Sequence, residues 1–140
     1  MNHPPLLIID DDEHDCEMFK IACVDMHVKN ELVIFHNPAL ALGYLRKMNT
    51  PVSCVLCDVH MPLINGIELL EKIKEDEALR EKAFPFMYWS GLDGAYIQKH
   101  NPLSGIQGFF KKPDNRQGFK HLILALVSYC ELFHASVNLL

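Results

Sequence analysis

A chain of 140 residues, 49% hydrophobic and 22% charged, has the size and composition of one domain with a buried core, which excludes a disordered or low-complexity segment. Its formal net charge of -5 speaks against direct nucleic-acid binding, which needs a basic face. The most apolar stretch, Leu122 to Cys130, has nine residues, short of the roughly 20 that span a bilayer, and no basic leader opens the chain, so neither a membrane span nor a signal peptide is expected.

Short apolar runs alternate with longer segments of helical period. Leu6 to Ile9 reads as a buried strand, and Cys16, Phe19, Cys23 and Met26 follow at helical spacing. Leu32 to Phe35 is a second strand. Asn37 and Pro38 then read as the N-cap and first position of a helix running to about Met48. Val52 to Cys57 is a third strand. Gly66 to about Glu75 is a helix with Ile67, Leu70 and Ile73 inward and Glu68 and Lys72 as an i,i+4 pair. Phe84 to Trp89 is a fourth strand. A short helix over Asp93 to His100 is stopped by Asn101-Pro102. Gly108 to Lys111 is a fifth strand, and Gly118 to about His134 the last helix, with Phe119, Leu122, Ile123, Leu126, Cys130 and Phe133 on its core face.

Five βα units with continuously apolar strands predict an α/β fold, a doubly wound parallel sheet covered on both faces. Sites in such sheets lie beyond the carboxyl ends of the strands. Asp10, Asp11 and Asp12 follow the first strand there, Asp58 the third, Ser90 ends the fourth, and Lys112-Pro113 follows the fifth. Each type has a use in phosphoryl transfer. A carboxylate can act as nucleophile and form an acyl phosphate. Neighbouring carboxylates repel, and a hard divalent cation such as Mg²⁺ relieves them. A hydroxyl and an ammonium neutralise the transferred group.

Ile8-Ile9-Asp10-Asp11-Asp12, Asp58-Val59-His60-Met61-Pro62-Leu63-Ile64-Asn65-Gly66, Trp89-Ser90-Gly91 and Gly108-Phe109-Phe110-Lys111-Lys112-Pro113 together resemble the receiver domains of two-component response regulators, of the stand-alone, chemotaxis-regulator-like kind. The likeness runs from about Leu6 to Phe133. It implies a flavodoxin-like (βα)5 sheet of order 2-1-3-4-5. It makes Asp58 the phosphoacceptor, Asp11 the direct ligand of Mg²⁺ or Mn²⁺, and Asp10 a ligand acting mainly through water, with the backbone carbonyl of His60 completing the protein's share. Ser90 and Lys112 would contact the phosphoryl oxygens, Lys112 being preferred to Lys111 because the family's lysine directly precedes proline. Ser90 and Phe109 would form the switch pair, with Phe109 standing where many relatives have Tyr. The Lys112–Pro113 bond is expected to be cis. His60 and Leu92 occupy positions that influence loss of the phosphoryl group.

The implied protein is a cytoplasmic switch, not an enzyme beyond its own phosphorylation and dephosphorylation. A histidine kinase or histidine phosphotransfer protein would load it. With 28 residues after Lys112, most of them in the last helix, residues 1–140 are expected to be a single receiver domain with no output domain. Its signal would pass to a downstream protein target, or through a homodimer on the face of the fourth predicted helix, fifth strand and last helix. Leu124, Val127 and Leu132, left over from the last helix's core face, are assigned either to a broad buried face or to that contact. The rival reading is a haloacid-dehalogenase-type phosphatase with Asp10 as nucleophile, but Glu13-His14 departs from its pattern and it leaves Asp58 to Gly66 unexplained. Five cysteines without paired spacing read as reduced, buried thiols. Cys54 and Cys57 lie three apart in one strand and so face opposite ways, unlike a redox pair. The eight histidines show no zinc spacing, and Glu75 to Lys82 reads as a solvated helix end and loop.

Overall fold

The computed structural model describes residues 3–49, 51–92, 99 and 108–138. Its elements are β1 (Leu6–Ile9), α1 (Glu13–Asp25), β2 (Leu32–Phe35), α2 (Pro38–Lys47), β3 (Cys54–Asp58), α3 (Gly66–Glu75), α4 (Glu77–Arg80), β4 (Phe86–Ser90), β5 (Gly108–Lys111) and α5 (Arg116–Asn138). The strands form one sheet of order β2-β1-β3-β4-β5, and every pair is parallel. This is the expected doubly wound, flavodoxin-like α/β architecture. Apart from Lys99, the helix expected over Asp93 to His100 lies outside the described residues.

Strand alternation divides the core in two. Leu7, Ile9, Val55, Cys57, Phe86 and Tyr88 pack with α2, α3 and α4. Leu6, Ile8, Cys54, Leu56, Met87 and Trp89 pack with α1 and α5. Cys54 and Cys57 are thus on opposite faces, and all five cysteines are free and buried. Each fully buried Leu, Ile or Phe contributes about 1.5–3 kcal/mol, so this two-sided core is what closes the sheet.

Local chemistry sets the helix starts. Asp12 caps α1 by accepting from Asp15 N at 3.0 Å. Asn37 caps α2 with Pro38 next. Asn65 and Glu68 form a reciprocal capping box on α3, so Glu68 turns back to Asn65 rather than forward to Lys72. Leu69, unassigned by the inward spacing of Ile67, Leu70 and Ile73, is fully buried, while Ile67 is half-buried.

The segment from Glu75 to Lys82 is more structured than a solvated run. Asp76 caps the short α4 and pairs with Arg46 of α2. Lys82 Nζ donates to the carbonyl oxygens of Leu45, Arg46 and Met48 at 2.8, 3.3 and 2.7 Å. Asp76 and Lys82 are therefore ties to α2, where the Lys82 cation satisfies orphan carbonyls at its C-terminal end, while Glu75, Glu77, Arg80 and Glu81 are exposed as expected.

The leftover apolar residues of α5 also part company. Val127 packs on the α1 side of the core with Met26 and Val28. Leu124 lines a groove with those same residues. Both therefore turn toward α1 rather than β5, because α5 lies along α1. Leu132 is 69% exposed.

Candidate phosphoryl-transfer site

The carboxyl edge of the sheet gathers side chains from distant parts of the chain. Asp10 follows β1 and is fully buried; Asp58 ends β3 and is 6% exposed; Ser90 ends β4 and is buried. Asp11 is exposed. One ligand oxygen from each of Asp10, Asp11 and Asp58 can be chosen so that all lie within 4.8 Å of one another. Among the described residues no other group of His, Cys, Asp or Glu does this.

Lys112 enters from the far side of the sheet. Its N–H donates to Ser90 O at 2.7 Å, which extends the β4–β5 ladder by one residue. The side chain then points into the cleft, whereas Lys111 is exposed. Lys112 Nζ lies 2.7 Å from Asp10 Oδ2, 2.8 Å from Asp15 Oδ2 and 3.4 Å from Asp58 Oδ2. Its ammonium also stands 5.1 Å from the Trp89 ring centroid. The Lys112–Pro113 bond is trans, contrary to the expected cis isomer, since no cis peptide occurs among the described residues. The backbone bond to Ser90 already aims the lysine, so the less stable isomer is not needed to bring it there.

Backbone donors hold the carboxylates. Asp12 N donates to Asp10 Oδ1 at 2.9 Å, and His60 N to Asp58 Oδ1 at 3.1 Å. Ser90 Oγ accepts from Leu92 N at 3.1 Å. Burial pushes the Asp10 carboxyl up to about 7, against the opposing effect of the Lys112 ammonium. Burial alone would lower Lys112, but contact with Asp10 and Asp15 outweighs it and holds the ammonium above its ordinary range. Burial likewise pushes the Cys16 thiol up to about 12, which keeps it neutral beside the cleft.

These residues fit a divalent metal. Asp10 Oδ2 is buried and accepts no aligned hydrogen bond; the Lys112 contact there is an ion pair only. Three hard carboxylate donors with one shared ammonium leave uncompensated negative charge, the condition that Mg²⁺ or Mn²⁺ relieves.

Two participants went unassigned in the sequence. Asp15 pairs with Lys112 across 97 residues of sequence. It lies in the first turn of α1, three residues after the capping Asp12, so the signal that could have found it was an acid opening the helix that follows the acidic run. His36 closes β2, and its ring Nδ1 lies 2.8 Å from Asp10 O. Phe109 lies beside Tyr88 in the β4–β5 register and is half-buried against the α2–α3 side of the core.

Comparison with known proteins agrees with this fold. Residues 6–123 match the response regulator receiver domain family. A curated relative, the probable transcriptional regulator ycf29 of Pyropia yezoensis, is 30% identical over 100 residues, which is 71% of this chain and 42% of the relative. The chain therefore spans less than half of that relative. The bacteriophytochrome response regulator AtBRR superposes with a TM-score of 0.72 at 23% identity, covering 90% of this chain and 94% of that one. The Mn²⁺-bound form of response regulator Rcp1 gives 0.69 at 18% identity, with 91% and 94% covered. No similarity supports the phosphatase reading.

Proposed function

We propose, from the premise that this chain belongs to the response regulator receiver domain family, that it is a phosphorylation-dependent switch with Asp58 as its phosphoacceptor. The family is regulatory rather than classically enzymatic. The observation that carries the assignment is convergence: Asp10, Asp58 and Lys112 come from the ends of three strands to one cleft, and Asp11 and Ser90 border it.

Asp10, Asp11 and Asp58, with the backbone carbonyl of His60, would hold Mg²⁺ or Mn²⁺. When bound, the ion supplies positive charge to the phosphoryl oxygens. An Asp58 oxygen gives its lone pair to phosphorus as the bond to the donor nitrogen or oxygen breaks, and the donor keeps that pair. A histidine kinase or histidine phosphotransfer protein is the donor that fits this chemistry. Asp58 lies in a crevice at the sheet edge, where Lys112 and Ser90 neutralise the transferred charge.

The same contacts carry the signal. A phosphoryl dianion on Asp58 draws Lys112 from Asp10 and Ser90 from its bond to Leu92 N. Ser90 vacates space, and Phe109 swings inward to alter the face around β5. A swing from 1:99 to 99:1 needs about 5.5 kcal/mol. Two charge-assisted contacts at about 1.5–3 kcal/mol each, with further burial of one ring, reach that order. A downstream protein or a second copy reads the altered face. Residues 1–140 act as a single receiver unit signalling through contact, and five reduced thiols suit the cytoplasm. Among the described residues no helix is long and apolar enough to cross a membrane.

Acetyl phosphate with Mg²⁺ tests the assignment. The chain should gain one base-labile phosphoryl group, lost in Asp58→Asn. Labelling that persists in that variant overturns it.

A further inference from the structure

The Lys112 ammonium has three N–H donors and three carboxylates around it. Two of these, Asp10 and Asp58, belong to the group that can hold a metal; Asp15 does not. Asp15 is instead fixed by α1. Its own N–H is bonded to the capping Asp12, which fixes it in the first helical turn. Its side chain is 20% exposed, so its charge is only partly screened by water.

We propose that Asp15 is a positioning residue that holds the Lys112 ammonium back from Asp58 and thereby sets how strongly the cleft grips a phosphoryl group. The inference rests on the reading of Asp58 as phosphoacceptor. The distances carry it: Nζ is 2.8 Å from Asp15 and 3.4 Å from Asp58. A cation that recruits Asp10 and Asp58 removes two of the lysine's partners and leaves Asp15 as the third. A phosphoryl group must then draw Lys112 against an anion that shares it, and the two anions repel one another across the ammonium. Neutralising Asp15 removes both oppositions while Asn still accepts a hydrogen bond from the lysine.

Trp89 provides the readout. It is the only tryptophan in the chain, and its ring lies under Lys112. Full-length protein in saturating Mg²⁺ is titrated with beryllofluoride, a phosphoryl mimic, while Trp89 fluorescence is followed. Asp15→Asn should bind beryllofluoride more tightly, on the order of tenfold for a charge this close. Asp15→Glu, which keeps the charge, should stay nearer the parent than Asp15→Asn does. Equal or weaker binding by Asp15→Asn overturns the inference while leaving Asp58 intact as acceptor. A parent that neither binds beryllofluoride nor labels with acetyl phosphate overturns the Asp58 reading and this inference with it.

Discussion

The ammonium of Lys112 stands 2.7 Å from Asp10 Oδ2, on a carboxylate with no solvent exposure. A cation just after the fifth strand thus balances a carboxylate just after the first. Where charge is compensated by so few partners, changes in pH, metal and sequence have separable effects.

The cleft's acidic run divides its labour. Asp12 is the α1 cap, whereas Asp11 belongs to the group that can hold a metal. Asp11→Ala should weaken Mg²⁺ binding about tenfold or more with little change in stability. Asp12→Ala should cost about 1 kcal/mol of stability and leave Mg²⁺ binding much closer to the parent. Calorimetric titration and urea unfolding, run on both variants, check the division; equal losses of Mg²⁺ binding refute it.

Asp10 makes the metal-free protein sensitive to pH. Its carboxyl is raised by burial from 3.8 to about 7, so between those values the folded state binds more protons than the unfolded one. Stability from this group is therefore full below about 3.8 and falls as pH rises toward 7, by on the order of 2–4 kcal/mol. Asp10→Asn should flatten that part of the profile. Urea melts in chelator at pH 5 and pH 8 decide it, and identical slopes in parent and variant reject it.

Lys82 should matter for stability and not for chemistry. Lys82→Ala loses three carbonyl contacts at the end of α2, a cost of about 1–3 kcal/mol. The urea midpoint should drop, while acetyl phosphate labelling of the folded protein stays at the parent rate. A midpoint unchanged within error contradicts the assignment of these contacts.

Leu92 bears on the lifetime of the phosphoryl group. It is 43% exposed and follows Ser90 by two residues at the cleft's rim. Hydrolysis requires an in-line water, and the expectation is that this side chain would screen the approach, while His60 would supply no fixed carboxylate to orient it. Self-dephosphorylation should be slow, and Leu92→Ala should accelerate it several-fold. A lifetime that does not change in the variant removes Leu92 from this role.

How much of this could be read from residues alone varied with the physics involved. Apolar runs, the Asn37-Pro38 start and the alternation of Cys54 and Cys57 depend on neighbours in sequence, and the sheet they implied is the one observed. Likewise, Asp10, Asp58 and Lys112 meet because parallel strands bring their carboxyl ends to one edge. What escaped were contacts between distant segments. Lys82 seeks carbonyls 34 to 37 residues earlier, so its charge run looked solvated. The cis Lys112–Pro113 bond was carried over from the family resemblance rather than read from these residues, and here the bond is trans. Val127 and Leu124 were left open between a broad buried face and a partner contact because helical period gives a face but not the neighbour that covers it; Val127 packs on the core and Leu124 lines the groove beside it.

The two glycines flanking the cleft behave unlike one another. A Cβ at Gly66 would come within 2.4 Å of the Asp58 carbonyl oxygen, while one at Gly91 would meet nothing within 4 Å. Tyr88 further clamps the Gly66 side, its hydroxyl donating to Gly66 O at 3.1 Å. The cleft thus has one crowded wall, the start of α3, where no side chain fits beside the Asp58 carbonyl, and one roomy wall at Gly91, just after β4. Enlarging residue 66 would push directly on the Asp58 backbone, whereas Gly91 has room for a side chain.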